Sequence, residues 1–320
     1  MKKSIIVAGS IIVDTINEIS AYPKKGCLEQ VFSIKKSLGG LVPNVGIDLK
    51  RIDPELHIYA VGQIGDDENG KFVIDSLEKE KIDTSLISIN KKTPTSVDFV
   101  MSEQKGERTF FAYSGTNNQF CEKDIKLDRI KCDMLHLGYF LFMEKLDNGD
   151  GAKILKRAKQ LGIKTSIDFV SDDNESKYRK IWPCLPFVDN LIINEIEASK
   201  LAGLDMSKNS IKDILLKLKN MGVIERIIVH SPKKSYLFDG KEYLEQNSLF
   251  VDKKYIKGTT GAGDAFCAGA LYSICCGSTN KEILEFATMC AAMSLKSIDA
   301  TSAMRCKKEI VKNGKTLSRR

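Results

Sequence analysis

Nowhere in the 320 residues do apolar side chains run on for the roughly 18 to 20 positions that a membrane-spanning helix needs. The opening stretch MKKSIIVAGSIIVD has two lysines and a short apolar run, but it reaches Asp14 too soon for a secretory signal. It reads as a first buried strand, and no membrane partner is expected. No Cys-x-x-Cys occurs, and the nine cysteines, at 27, 121, 132, 184, 267, 275, 276, 290 and 306, are odd in number with several inside apolar runs. That excludes a disulfide framework or a zinc knuckle and fits free thiols in a reducing cytoplasm. The three histidines lie far apart along the chain, so no His-rich metal motif exists. Internal repeats, low-complexity segments and aromatic or RNA-binding motifs are also missing, which removes the grounds for a nucleic-acid partner.

What is present is ordinary globular material. Hydrophobic residues at 42% and charged ones at 28% exclude a disordered chain, and the length suits two compact domains or one large α/β domain. The formal net charge of +7 is concentrated at one end. Arg305, Lys307, Lys308, Lys312, Lys315, Arg319 and Arg320 against Glu309 leave the rest of the chain near neutral. The basic end reads as a solvated tail rather than a polyanion-binding surface.

Short runs rich in Val, Ile and Leu alternate with helical patterns. SIIVAG (4–9), HIYAV (57–61), MLHLG (134–138), KTSIDF (164–169), NLIIN (190–194) and RIIVH (226–230) are nearly continuous in apolar character, as strands covered on both faces should be. Between them FVIDSLEKEK (72–81), GAKILKRAKQLG (151–162) and SIKDILLKLKNMG (210–222) repeat apolar residues at three- and four-residue spacing. The alternation predicts an α/β fold with a mostly parallel sheet and helices on both faces. Residues 15–38 and 91–114 break the rhythm. They alternate apolar and polar positions, with Gly106 as a turn in the second, and predict antiparallel hairpins with one wet face. The expected organisation is a core of 1–14, 39–90 and 115–320 with a small β-sheet lid of 15–38 and 91–114 inserted in it.

The densest chemistry lies in GTTGAGDAF, residues 258–266, directly before the apolar run CAGALYSICC. A helix start leaves backbone N–H groups unpaired and carries a partial positive charge, so it attracts anions. Gly261 and Gly263 remove side chains that would keep a phosphate away. Asp264 then stands beside a bound anion, which makes sense if it accepts a proton from a hydroxyl that attacks the phosphate. The same residues are equally a glycine turn with an acid in the first helical turn. The stretch is neither a P-loop, for want of Gly-Lys-Ser/Thr, nor a dinucleotide fingerprint, since Phe266 replaces the third glycine.

GTTGAGDAF, together with VGQIGDDENG at 61–70 and GGLVPNV at 39–45, resembles the ribokinase-like (PfkB) carbohydrate kinase family in motif order and spacing over nearly the whole chain. The resemblance implies a three-layer α/β sandwich with a small β-lid and an ATP- and Mg²⁺-dependent kinase. By that likeness Asp264 is the general base, and the N–H groups of Gly261, Ala262 and Gly263 form an anion hole. Asp14 is the acceptor-binding carboxylate, beside a substrate loop of Gly39, Gly40 and Asn44. Asn194 and Glu197, in INEIEASKLAG, match an N-x-x-E motif that orders Mg²⁺ through water. Nucleotide contacts are implied for Asn194, Ser231, Thr260, Gly263 and Thr288. From the residues alone, Asp14 is also a loop-capping acid, Gly39–Asn44 a turn into a helix, and Asn194–Glu197 a helix cap with a surface acid. Gly65 and Asp66 read as a structural turn. Asp168 ends a strand in the crevice where such sheets bind ligands, where the family often carries D-x-N.

The chain departs from that pattern in four places. Gly258 stands where the family usually has an acid that helps hold a monovalent cation, so potassium activation is expected to be weak. His230-Ser-Pro-Lys-Lys-Ser235 replaces a T-x-G-x-x-G nucleotide loop, Thr288 stands where some members use Asn, and Val42-Pro43 stiffen the substrate loop. The expectation is a cytoplasmic kinase acting on a hydroxymethyl group of a sugar. A nucleoside kinase, with Val42, Pro43, Phe99, Phe111 and Tyr113 around the base, and a non-catalytic sugar-binding homologue are the alternatives. Lid strands need covering, so a homodimer through the lid is expected as well.

Overall fold

The computed structural model describes residues 3–103 and 108–320, and Gly106 lies outside them. Its strands are β1 (Ser4–Ala8), β2 (Ile12–Ile19), β3 (Val31–Gly39), β4 (His57–Val61), β5 (Gln63–Gly65), β6 (Ser88–Asn90) and β7 (Val97–Glu103). They continue with β8 (Arg108–Tyr113), β9 (Met134–Phe140), β10 (Lys164–Phe169), β11 (Asn190–Asn194), β12 (Arg226–His230), β13 (Lys234–Phe238) and β14 (Tyr243–Asn247). The helices are α1 (Leu41–Ile52), α2 (Glu68–Lys79), α3 (Gly151–Gln160), α4 (Glu175–Arg179), α5 (Glu195–Ala202), α6 (Ile211–Asn220), α7 (Ala262–Cys275), α8 (Asn280–Ser294) and α9 (Lys307–Gly314).

The main sheet runs β14-β13-β12-β11-β10-β9-β1-β4. From β4 to β12 every neighbouring pair is parallel, and the β12–β13 and β13–β14 pairs are antiparallel. Alternation along β1 shows why its sequence is apolar throughout. Ile5 and Val7 enter a core shared with α1, α7 and α8, while Ile6 and Ala8 enter a second core with α3, α5 and α6. The result is helix, sheet, helix in three layers. From β1 the chain builds β4 on one side and later β9 on the other, so the strand order reverses at β1. The carboxyl ends beside such a reversal are where open α/β sheets bind ligands.

The second sheet, ordered β3-β2-β7-β8, pairs β2 with β3 and β7 with β8 antiparallel, and joins β2 to β7 in parallel. Its first strand starts at Ile12, not at residue 15, and β3 runs on to Gly39. Val13 N–H donates to Ser96 O at 3.0 Å and Asp14 pairs with Ser37, so Ile12–Asp14 and Gly39 belong to the small sheet. Asp14 therefore sits on the small sheet and not on the core assigned to it by the sequence pattern. The turn at IGDD is structural as expected, but the work falls to Asp67 rather than Asp66. Asp67 caps α2 through Gly70 N–H at 2.8 Å and accepts from Thr95 N–H and Oγ1 at 2.8 and 2.7 Å. All nine cysteines are free thiols, and no helix among the described residues is long and apolar enough to cross a membrane.

Candidate active site

Helix α7 is buried almost all round, which its run of Ala, Cys, Gly and Leu predicts. Gly261 caps it at φ +78°, and a Cβ there would lie 2.5 Å from the Ala300 Cα, so no other residue fits this turn. Asp264 follows in the first helical turn and is only 8% exposed. Asn44 Nδ2, from the first turn of α1, donates to its Oδ2 at 2.9 Å. The Tyr139 hydroxyl donates to both carboxylate oxygens at 3.2 and 3.1 Å. Burial, reinforced by the negative charge of Asp168, pushes the Asp264 pKa up to about 7 against those two hydrogen bonds. A carboxylate poised near neutrality is what a general base at cellular pH requires.

Tyr139 owes its position to local backbone strain. It sits near the end of β9 at φ +59°, followed by Leu141 at φ +76°, and the β9–β10 register slips between Ile167 and Phe169. Its N–H donates to Asp168 Oδ1 at 2.7 Å, which holds the bulge in place. Nothing in MLHLGYF marks Tyr139 in advance, because a tyrosine at a strand end is ordinary.

Asp264 lines a cavity of about 270 Å³ together with Tyr139, Asp168, Asn194, Glu197, Gly261, Ala262 and Gly263. The carboxyl ends of β10, β11 and β12 supply its floor. Within the expected anion hole, the Ala262 N–H is already taken by Thr259 O at 3.2 Å, so that donor is not free as the GAG reading assumed. The Gly263 and Asp264 N–H groups precede the first i to i−4 bond of the helix, which Ala265 N–H makes to Gly261 O at 2.8 Å.

Asn194 and Glu197 form a reciprocal cap on α5. Asn194 Oδ1 accepts from Glu197 N–H at 2.9 Å, and Glu197 Oε2 accepts from Asn194 N–H at 2.9 Å. Ser171, which the sequence gave no reason to single out, donates its hydroxyl to Glu197 Oε1 at 2.8 Å and accepts from Asn194 Nδ2 at 2.9 Å. Glu197 is buried, not a surface acid, and burial raises its pKa to about 7.

A second cavity of about 420 Å³ shares Asn194, His230, Thr259, Ala262 and Gly263 with the first. Its walls are mostly apolar, from Pro232, Ile256, Phe266, Ala291, Ala292 and Leu295, with Ser231, Ser235, Ser248 and Thr288 as polar points. Arg320, from the basic end read as a solvated tail, is also in the wall. Thr259 lines both cavities, whereas Thr260, the residue expected to contact the nucleotide, is exposed and lines neither. The His230 ring lies 4.9 Å from that of Phe266, and burial pushes its pKa down to about 4, so it is neutral.

Asp14, Gly39 and Gly40 line neither cavity and meet one another at the β2–β3 junction. A Cβ on Gly39 would lie 2.7 and 2.9 Å from the Asp14 carboxylate oxygens, so a side chain there would displace that carboxylate. Asp14 pairs with Asp98 across β2–β7, and burial, then the Asp98 charge, raises its pKa to about 7 against the pull of Arg108. Gly40 caps α1, and Leu41 N–H donates to Ser10 Oγ at 3.0 Å, which ties α1 to the end of β1. Val42 and Pro43 are buried in the first turn of α1 rather than forming a loop. Asn44 Oδ1 is buried without a hydrogen-bond partner.

The register also moves the expected base slot. Phe99, Phe111 and Tyr113 occupy positions one off from Asp98 and Ala112, so they point away from the face that carries Asp14. Phe110, 54% exposed, shares the Asp14 face instead.

Comparison with known proteins agrees with this architecture. The profile of the pfkB family carbohydrate kinases matches residues 2–306. A ribokinase of Arabidopsis thaliana is 25% identical over 313 residues, covering 96% of this chain and 80% of the relative. A probable fructokinase of the same plant is 24% identical over 94% of this chain and 89% of its own. The solved structure of Arabidopsis thaliana ribokinase complexed with ribose and ATP superposes with a TM-score of 0.84 at 23% identity, covering 98% of this chain and 99% of that one.

Proposed function

The chain belongs to the pfkB family of carbohydrate kinases and is a sugar kinase, and from that premise we propose that it transfers the γ-phosphoryl group of ATP to a hydroxymethyl group of a sugar, with Asp264 as the base. The observation that carries the reading is the buried Asp264 carboxylate, raised to about 7 and gripped by Asn44 and Tyr139 at the start of α7. Asp264 takes the hydroxyl proton, and the free N–H groups of the α7 first turn face the charge that develops on the transferring group. Asn44 Oδ1, orphaned and buried, fits a substrate hydroxyl as its donor. Asp14 would orient neighbouring hydroxyls of the acceptor.

The residues present fit both ATP and Mg²⁺. The apolar walls of the 420 Å³ cavity suit a nucleobase, and its shared rim with the smaller cavity leads to the α7 start. Glu197 and Asn194 supply the oxygen-rich edge that a hard cation prefers, and they would hold Mg²⁺ through water. Bound there, Mg²⁺ would neutralise charge on the phosphate oxygens.

Asp264→Asn removes the proton acceptor while preserving shape. We expect turnover to fall by roughly two to four orders of magnitude with little change in acceptor binding. Near-normal turnover of the purified variant would remove Asp264 from the mechanism.

Phe110, exposed on the Asp14 face, supports a second reading in which the acceptor is a nucleoside stacked on that ring. Thermal shift with matched pentoses, hexoses, ketoses and nucleosides separates the two. We expect a free sugar to stabilise the protein, and stabilisation by nucleosides alone would favour the second reading. The opposite face, with Phe99, Phe111 and Tyr113 at 45%, 56% and 46% exposure, supports pairing of two copies through the small sheet.

A further inference from the structure

The fold brings together three side chains that are far apart in sequence. His136 on β9, Asp168 on β10 and Cys267 on α7 are all buried, and their ligand atoms lie within 4.8 Å of one another. Among the described residues this is the one such group of His, Cys, Asp and Glu. His136 Nε2 is 3.3 Å from Asp168 Oδ2 and 3.4 Å from Cys267 Sγ. A tetrahedral zinc ion with ordinary bond lengths sets its nitrogen and oxygen ligands about 3.3 to 3.4 Å apart and its nitrogen and sulfur ligands about 3.5 to 3.6 Å apart. The observed spacings need little adjustment to meet both.

We propose that His136, Asp168 and Cys267 form a site for a borderline-soft divalent cation, Zn²⁺ in preference to Mg²⁺, in the wall of the catalytic cavity. The donor set selects the metal. A thiolate and an imidazole suit Zn²⁺ and its neighbours, and Mg²⁺ demands oxygen. Binding costs the Cys267 thiol its proton, which leaves to solvent. Two of the ligands already have the outer partners that metal sites use. His136 Nδ1 lies 3.2 Å from Ser166 Oγ, so its N–H can donate there while Nε2 faces the metal. Asp168 Oδ1 accepts the Tyr139 N–H at 2.7 Å, leaving Oδ2 for the ion. Both Asp168 and Cys267 line the 270 Å³ cavity, so the fourth coordination position opens toward it and takes water or an oxygen of a bound small molecule. The site is separate from the Glu197–Asn194 edge assigned to Mg²⁺.

The test uses the full-length protein freed of metal by a chelator. Co²⁺ is titrated in as a coloured stand-in, and thiolate-to-cobalt absorption is expected to saturate at about one ion per chain and to be bleached by Zn²⁺. The band should vanish in Cys267→Ala and survive in Cys27→Ser, whose thiol is exposed on the small-sheet side. Absence of the band, or its persistence in Cys267→Ala, overturns the proposal. X-ray absorption of Zn²⁺-loaded wild-type protein needs no variant at all. One sulfur near about 2.3 Å with nitrogen and oxygen near about 2.0 to 2.1 Å is expected, and a shell without sulfur overturns the site.

Discussion

The burial that shields Asp264 from water also makes its carboxylate more basic. Its surroundings raise its pKa to about 7, burial first and the Asp168 charge next, while Asn44 and Tyr139 hold it down. Replacing Tyr139 by Phe removes a hydrogen bond to the ionised form, so the pKa must rise further. The expected result is a kcat/KM profile that still climbs with pH, with its midpoint moved to higher pH than in the wild type. At pH 7 the rate falls several-fold and at high pH the two proteins converge. A midpoint that stays in place, or moves down, would show that the hydroxyl does not act on the base. Such coupling was invisible in the primary structure. The position of Asp264 at a helix start behind glycines was legible, and the role of base over a plain glycine turn was implied only by the family resemblance. Tyr139 reaches it through a left-handed bulge that no local pattern announces.

At the scale of elements, the six parallel strands of the main sheet were legible because both faces are buried and the apolar runs are unbroken. The antiparallel β13 and β14, with the mixed sequences KSYLF and YLEQN, were not. The helix faces were legible through their three- and four-residue spacing. The small sheet was half legible. Its alternation was evident, but the parallel join of β2 to β7 is a long-range pairing, and it decides which face each aromatic occupies. For that reason Phe99, Phe111 and Tyr113, candidates for a base slot only under the nucleoside alternative, lie on the face away from Asp14. Those rings are the basis for pairing two copies. Light scattering on the purified protein is expected to give the mass of a dimer, and Phe111→Lys, which places a charge amid the rings, should yield monomers that remain folded. A wild-type monomer at tens of micromolar would dispose of the pairing. Legibility failed also at Asn194 and Glu197, whose identity as a pair was clear while the Ser171 hydroxyl that locks them came from another strand end.

For the molecule as a whole, burying acids has a thermodynamic consequence. Asp14, Asp264 and Glu197 all have pKa values raised to about 7, well above those of unfolded Asp and Glu. The folded chain therefore binds more protons than the unfolded one between about pH 4 and 7. Their contribution to stability is full below the unfolded pKa values and is lost as pH rises through about 7. Thermal melting is expected to give a Tm several degrees lower at pH 8 than at pH 5.5, and the combined variant Asp14→Asn with Glu197→Gln should flatten that slope. A Tm that rises over the same interval in the wild type would contradict the sign.

Asp14 and Asp264 ride on different bodies, the first on β2 and the second on α7. Asp14 abuts Gly39 just before α1, and Asp264 is bonded to Asn44 in the first turn of that helix. Under the proposed roles, an acceptor that reaches both carboxylates would act as a gauge block between two jaws: seated against one, it would present its far hydroxyl to the other. A shorter polyol can rest on Asp14 and still leave Asp264 with nothing to deprotonate. Selection by length then requires no clash and no dedicated rejecting residue.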